Sequence, residues 1–239
     1  MGEPLVIAID GPAGAGKSTV AKMLAARLGL SYVDSGATYR AAALKVLESG
    51  VSPDEASKVT ETISQAEIAF EASGGKPRVL LDGREVTDKI RTSEVTLAAA
   101  KVSRLPEVRI KLVAMQRAFA RGRGVVMEGR DIGTVVFPAA PLKIFLEADR
   151  EERARRRLEQ NHEEGRASTL EDTAYELGRR DQLDAERKIS PLVAANDAVA
   201  IDSTHLTADE VVRKIVELAR ERGLVGASGT PADSVTGNS

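Results

Sequence analysis

The chain has 239 residues, 42% hydrophobic and 29% charged, with a formal net charge of −2, a balance that excludes bulk electrostatic attachment to nucleic acid or to an anionic membrane. It contains no cysteine, which excludes disulfides, thiol catalysis and a Cys-ligated zinc, and fits a reducing compartment. No apolar run approaches the roughly 18 residues of a membrane span, so the sequence reads as a soluble, cytoplasmic protein whose core, with aromatics at 3%, leans on Ala, Val, Leu and Ile.

The first predicted strand, Leu5–Asp10, starts so early that no signal peptide is expected. It runs straight into Gly11, Pro12, Ala13, Gly14, Ala15, Gly16, Lys17 and Ser18, which fit the pattern G-x-x-x-x-G-K-[ST] without a gap and are followed by Thr19. Apolar residues then fall at Val20, Met23, Leu24 and Leu28, one face of a helix, with Gly29 as its stop. A strand before and a helix after are the context in which such a loop cradles phosphates. Glycines let backbone N–H groups converge on the oxygens, and the helix N-terminus adds its positive dipole end. Lys17 reaches the β- and γ-phosphates and the Ser18 hydroxyl takes a Mg²⁺ position. The pattern implies a bound nucleoside triphosphate.

The second strand, Ser31–Asp34, leads into a helix that begins near Ser35-Gly36 and carries Arg40 one turn in. Asp34, at a strand end, can hold Mg²⁺ through its waters while Arg40 faces a ligand beyond the sheet. The same residues also read as a helix N-cap followed by a surface Arg. Between Ala66 and Val86 the alternation of strand and helix breaks. Short strands joined by Gly-rich turns, with Asp82-Gly83 as a hairpin signal, predict a small antiparallel insertion.

A third core strand, Gly124–Glu128, opens onto Gly129-Arg130-Asp131-Ile132-Gly133-Thr134. Glu128 stands where phosphate-loop enzymes place an acid that helps Mg²⁺. Arg130 and Asp131 lie in a Gly-flanked loop suited to close ligand approach. After the strand Leu142–Glu147, a helix carries Arg150, Arg153, Arg155, Arg156 and Arg157, interleaved with acids. Such a run is a solvated face, or in a phosphoryl-transfer enzyme a lid that closes over the nucleotide. On the helix Leu177–Arg187, residues Arg180, Asp184 and Arg187 share a face. Both an intrahelical ion-pair ladder and two guanidiniums aimed at a phosphate or sugar fit that spacing. The last strand is Ala198–Asp202, and from Gly226 to Ser239 the composition predicts a disordered tail. His162 and His205 have no partner at catalytic or metal-ligand spacing. Five short apolar strands alternating with helices predict an α/β fold, a parallel sheet with helices on both faces, whose ligands lie beyond the C-terminal strand ends.

Taken together, these motifs resemble the bacterial cytidylate kinase family, nucleoside monophosphate kinases of the phosphate-loop class. The resemblance is carried by Asp10–Thr19, Asp34-Ser35-Gly36-Ala37-Thr38-Tyr39-Arg40, Ile90–Val95, Pro106–Arg109, Gln116-Arg117, Glu128–Pro138, Lys143–Leu146, Glu151–Ala154, Arg180-Asp181 and Ser190–Leu192. It implies a P-loop NTPase fold with a kinase core at 1–36 and 101–225. A monophosphate-binding part with the β insertion would occupy 37–100, a short helical lid about 153–165, and the tail 226–239. It also implies transfer of the ATP γ-phosphoryl group to CMP or dCMP with Mg²⁺. The alternatives are a kinase for another small acceptor such as UMP, or a nucleotide-dependent switch. By this resemblance Arg40, Arg130 and Arg187 engage phosphates, and Arg180 and Asp184 contact the sugar. Ser35, Arg109 and Asp131 read the base, Tyr39 joins the acceptor site, and Arg153 and Arg157 close over ATP. Lys17 and the arginines 130, 153, 157 and 187 form the catalytic set, with Ser18, Asp34 and Glu128 on the metal side. A carboxylate at Asp131 can accept the cytosine N4 amino group and would meet a repulsive oxygen in uracil. Two positions depart from the family pattern: Ala100 stands where a base-touching Ser is common, and Glu128 where Asp is. A monomer is expected.

Overall fold

A computed structural model describes residues 4–73, 76–163, 165–185 and 190–226. In chain order the elements are β1 (Val6–Asp10), α1 (Lys17–Leu28), β2 (Ser31–Asp34), α2 (Ser35–Glu48), α3 (Ala56–Ser64), β3 (Ile68–Ser73), β4 (Lys76–Leu81), β5 (Arg84–Glu85), α4 (Ser93–Val102) and α5 (Pro106–Phe119). They continue with β6 (Val125–Gly129), β7 (Leu142–Glu147), α6 (Arg150–Glu163), α7 (Leu170–Ala185), β8 (Val199–Asp202) and α8 (Ala208–Glu221). Each of the five expected core strands is present to within a residue at either end. They form one parallel sheet in the order β2-β6-β1-β7-β8. The β insertion is a separate antiparallel sheet, β3-β4-β5. The chain divides into two compact units, one running to Tyr32 and resuming at Gly122, the other Val33–Arg121.

In the first unit, all five residues of β1 are buried, as a central strand covered on both faces requires. Ile7 and Ile9 pack with Val20, Leu24 and Leu28 of α1 and with Val212, Ile215 and Val216 of α8. Leu24 and Leu28 are wholly buried, so truncating either to Ala would cost about 2–5 kcal/mol. α1 ends at Gly29 in the left-handed conformation, the stop its sequence announced. α8 opens with a reciprocal capping box in which Thr207 and Glu210 satisfy each other's backbone N–H, worth about 1 kcal/mol.

In the second unit the core is built from small residues, as the scarcity of aromatics demands. Ala41, Ala42 and Val46 of α2 gather with Ala98, Ala99 and Val102 of α4, Ile63 of α3 and Leu112 of α5. Phe70 and Phe119 add an edge-to-face pair at 4.9 Å. Asp82 and Gly83 both have positive φ, 49° and 76°, the geometry of a two-residue hairpin turn. The Asp82 carboxylate accepts from Glu67 N–H at 2.9 Å and from Lys45 at 2.6 Å, fixing the hairpin onto α2.

Candidate active site

The phosphate loop leaves β1 and enters α1 at Gly16, which caps the helix in the left-handed conformation (φ 89°) without a side-chain hydrogen bond to the first amides. Only glycine takes that backbone easily. Lys17 is buried and curls back over the loop, its Nζ donating to Pro12 O at 2.6 Å. The next side chain, Ser18, donates its hydroxyl to Glu128 Oε1 at 2.5 Å, and Tyr32 donates to the same oxygen at 3.2 Å. Glu128 belongs to β6, whose parallel register against β1 pairs Ile9 with Glu128 and Asp10 with Gly129. Strand pairing therefore brings the exit of β1 and the Glu128–Asp131 stretch side by side.

Past β6 the chain makes a single π-helical turn, Ile132–Val136. Asp10 holds its start, accepting from Ile132 N–H at 2.8 Å and Gly133 N–H at 2.7 Å. Burial pushes the Asp10 carboxyl up from 3.8 to about 6, aided by the nearby Asp131 and opposed by the two amides and Lys17. Asp131 is itself buried, and Arg130 donates to Gly129 O at 3.4 Å.

The first turns of α6 rest on the phosphate loop. Arg153 is buried and makes three hydrogen bonds. Its Nε donates to Ala148 O at 3.0 Å, and one terminal nitrogen donates to Ala13 O at 3.2 Å and to Asp181 Oδ2 on α7 at 2.5 Å. Gly14 lies against it so closely that a Cβ there would stand 2.9 Å from the Arg153 Cβ. Arg156 takes a parallel role at the other end of the loop. It donates to Ser203 Oγ at 3.0 Å and Ser203 O at 2.7 Å, while the Ser203 hydroxyl contacts Ala15 O at 3.2 Å. Arg157 reaches Gln160 at 2.7 Å.

Within the second unit, Asp34 caps α2 through Ala37 N–H at 3.0 Å and accepts from Arg40 at 2.6 Å. Burial would raise the Asp34 carboxyl, but the Arg40 charge and hydrogen bond, with the Ala37 amide and Arg91, hold it below the ordinary carboxylate value. Arg109 is buried, donates to Ser103 O at 3.3 Å, and stacks its guanidinium 5.4 Å from the Tyr39 ring centre. Ser35 is buried, and its carbonyl accepts from Gln116 at 3.4 Å.

A family model described as cytidylate kinase matches residues 7–221. The chain belongs to the cytidylate kinase family. It is 50% identical over 216 residues to the cytidylate kinase of Geobacillus kaustophilus, covering 90% of this chain and 96% of that one. With the cytidylate kinase of Caldicellulosiruptor bescii it shares 48% over 212 residues, 89% of this chain and 94% of the relative. With that of Mycobacterium leprae it shares 46% over 219 residues, 91% and 96%. A solved structure of an uncharacterized protein from Eubacterium ventriosum superposes with a TM-score of 0.50 at 13% identity, over 90% of this chain and 98% of that one, a likeness of fold alone.

Within this cytidylate kinase fold the first unit gathers the loop Gly11–Thr19, Glu128, Arg130, Asp131 and Arg153, while Ser35, Tyr39, Asp34, Arg40 and Arg109 belong to the second. Arg187 lies outside the described residues, as do the side chains of Arg180 and Asp184 and the tail beyond Gly226. Three residues carry more of the site than their sequence context suggested. Asp10 was marked by its strand end and by opening the phosphate-loop stretch of the resemblance, Asp181 by its place beside Arg180, and Arg156 was one of five arginines. Among the described residues no group of three or more His, Asp and Glu side chains forms a metal cage.

Proposed function

We infer that the chain transfers the γ-phosphoryl group of ATP to CMP or dCMP, releasing ADP and the nucleoside diphosphate. The observation that carries this reading is the meeting of Ser18, in the first turn of α1, with Glu128 of β6, in a chain that matches the cytidylate kinase family from residue 7 to residue 221. It joins a triphosphate loop to a second acidic strand end. The loop Gly11–Thr19 binds the triphosphate of ATP through its amides, and Lys17 neutralises charge on the transferring group.

Ser18 and Glu128, with Asp34, are the residues that would hold Mg²⁺. Hydroxyl and carboxylate oxygens suit that ion, which keeps waters and shares nucleotide phosphates. When bound, it would neutralise charge on the phosphate oxygens. The acceptor phosphate is already an anion, so no general base is needed, and catalysis rests on positioning and charge. Arg40, Arg130 and Arg187 bind phosphates, Arg180 and Asp184 the sugar, and Arg157 ATP. Arg153 closes over ATP with Arg157, and its bonds to Ala13 O and Asp181 also support the loop that carries the donor. Tyr39 and Arg109 flank the acceptor, and Ser35, Arg109 and Asp131 read the base. The acceptor-binding part corresponds to 37–100 and the lid to about 153–165. The same reading takes the enzyme to be a cytoplasmic monomer working on free nucleotides.

The test is product formation. Wild type with Mg²⁺-ATP and CMP should yield CDP, and Lys17→Ala should lose at least about 10³-fold in kcat while melting as the wild type does. A folded Lys17→Ala enzyme with wild-type turnover would remove the phosphate loop from the chemistry.

A further inference from the structure

Asp10 immediately precedes the phosphate loop, yet its carboxylate is engaged on the other side. Both oxygens are taken by backbone amides, Oδ1 by Ile132 and Oδ2 by Gly133, and the residue is 5% exposed. These are the first two amides of the π-helical turn, which receives no side-chain cap from Asp131. From inside the turn, Val135 N–H and Val136 N–H both return to the Asp131 carbonyl at 2.9 and 3.1 Å. The backbone of Asp131 is thereby held from two directions, its carbonyl by the turn and the next two amides by Asp10. Little room is left beside the contact. A Cβ added at Gly133 would stand 3.4 Å from Asp10 Oδ2 and 3.1 Å from Lys143 Cδ. The Asp10 and Asp131 charges are also close enough to repel, so the arrangement persists against an electrostatic cost.

We propose that Asp10 is a positioning residue for acceptor selection, fixing the Asp131 backbone and so the place at which the Asp131 carboxylate meets the acceptor base. This rests on the reading of Asp131 as a base reader. It assigns a residue adjoining the ATP loop to discrimination between pyrimidine acceptors. A charge-assisted bond to an amide has strict geometry, and an ill-placed carboxylate loses its advantage with one base over the other.

Asp10→Asn keeps the volume and one acceptor oxygen but turns an NH₂ group toward a backbone N–H. Steady-state kinetics with CMP and UMP should show the ratio of kcat/KM values falling by about tenfold or more. The KM for ATP should stay within about threefold of wild type. In an Asp131→Asn background the same change should leave the ratio where it already lies. Should Asp10→Asn fail to fold, Gly133→Ala crowds the same contact from the other side and should lower the ratio in the same direction. A folded variant in which CMP and ATP suffer equally and the ratio is unchanged would overturn the inference. A ratio untouched by Asp131→Asn would instead overturn the base reading, and this inference with it.

Discussion

Arg153 and Asp181, 28 residues apart in the chain, meet at 2.5 Å between α6 and α7, and the same guanidinium nitrogen holds the Ala13 carbonyl of the phosphate loop. The arginine is 8% exposed at its side chain and the aspartate 24%. Two helices and the nucleotide loop are thus tied at one point.

Removing the acid should leave a buried cation without its counter-charge. Asp181→Ala is expected to cost about 2 kcal/mol, below the 3–5 of a wholly buried pair because Asp181 is partly wetted. Urea unfolding near neutral pH measures it, and the KM for ATP should rise as the Ala13 carbonyl loses a firm partner. Unaltered stability together with an unaltered KM would mean that this tie is idle in solution.

Glu128 offers one oxygen to two hydroxyls, Ser18 and Tyr32. Glu128→Gln removes the charge while keeping the size. At fixed ATP, the Mg²⁺ concentration for half-maximal rate should increase by about tenfold or more, since loss of a ligand or of its close support has that scale. Tyr32→Phe, which spares the Ser18 contact, should shift it by about threefold at most. A Mg²⁺ titration identical to wild type in Glu128→Gln would take this carboxylate out of the metal site.

Asp10 makes stability depend on pH in an uncommon direction for a carboxylate. Burial lifts its carboxyl from 3.8 to about 6, so the folded state holds the proton more tightly than the unfolded chain does. Folding takes up a proton between those values. The contribution of this group to stability therefore falls as pH rises from about 4 to about 6, by about 3 kcal/mol, and is level above. Asp10→Asn cannot titrate, so its stability relative to wild type should improve by that order between about pH 4 and pH 7. Parallel urea-unfolding curves for both proteins would decide the point, and a constant difference across the range would contradict it.

Much of the architecture was legible because it depends on local pattern. Strand 142–147 is an apolar run ending in a carboxylate, α1 shows its buried face at Val20, Leu24 and Leu28, and Asp82-Gly83 announces its own turn. The phosphate loop was legible for the same reason, since its residues act through a contiguous backbone. What the sequence hid are relationships across long separations. Asp10 and Ile132 are 122 residues apart and Arg153 and Ala13 are 140 apart. No periodicity links such pairs, because strand order and helix docking create them. The π-helical turn at Ile132–Val136 has no pattern of its own and is held by Asp10 from another strand. Arginines 153, 155, 156 and 157 look alike in sequence, yet Arg155 makes surface pairs with Glu152 and Glu159, Arg153 holds Ala13 of the loop, and Arg156 holds Ser203.

The most direct measurement is coupled ADP release with Mg²⁺-ATP in the presence of CMP, dCMP, UMP, AMP or no acceptor. CMP and dCMP should stimulate release strongly, and UMP or AMP little despite Ala100. Rates with UMP equal to those with CMP would contradict base reading by Asp131. Release that no nucleotide stimulates would contradict the transfer reaction itself.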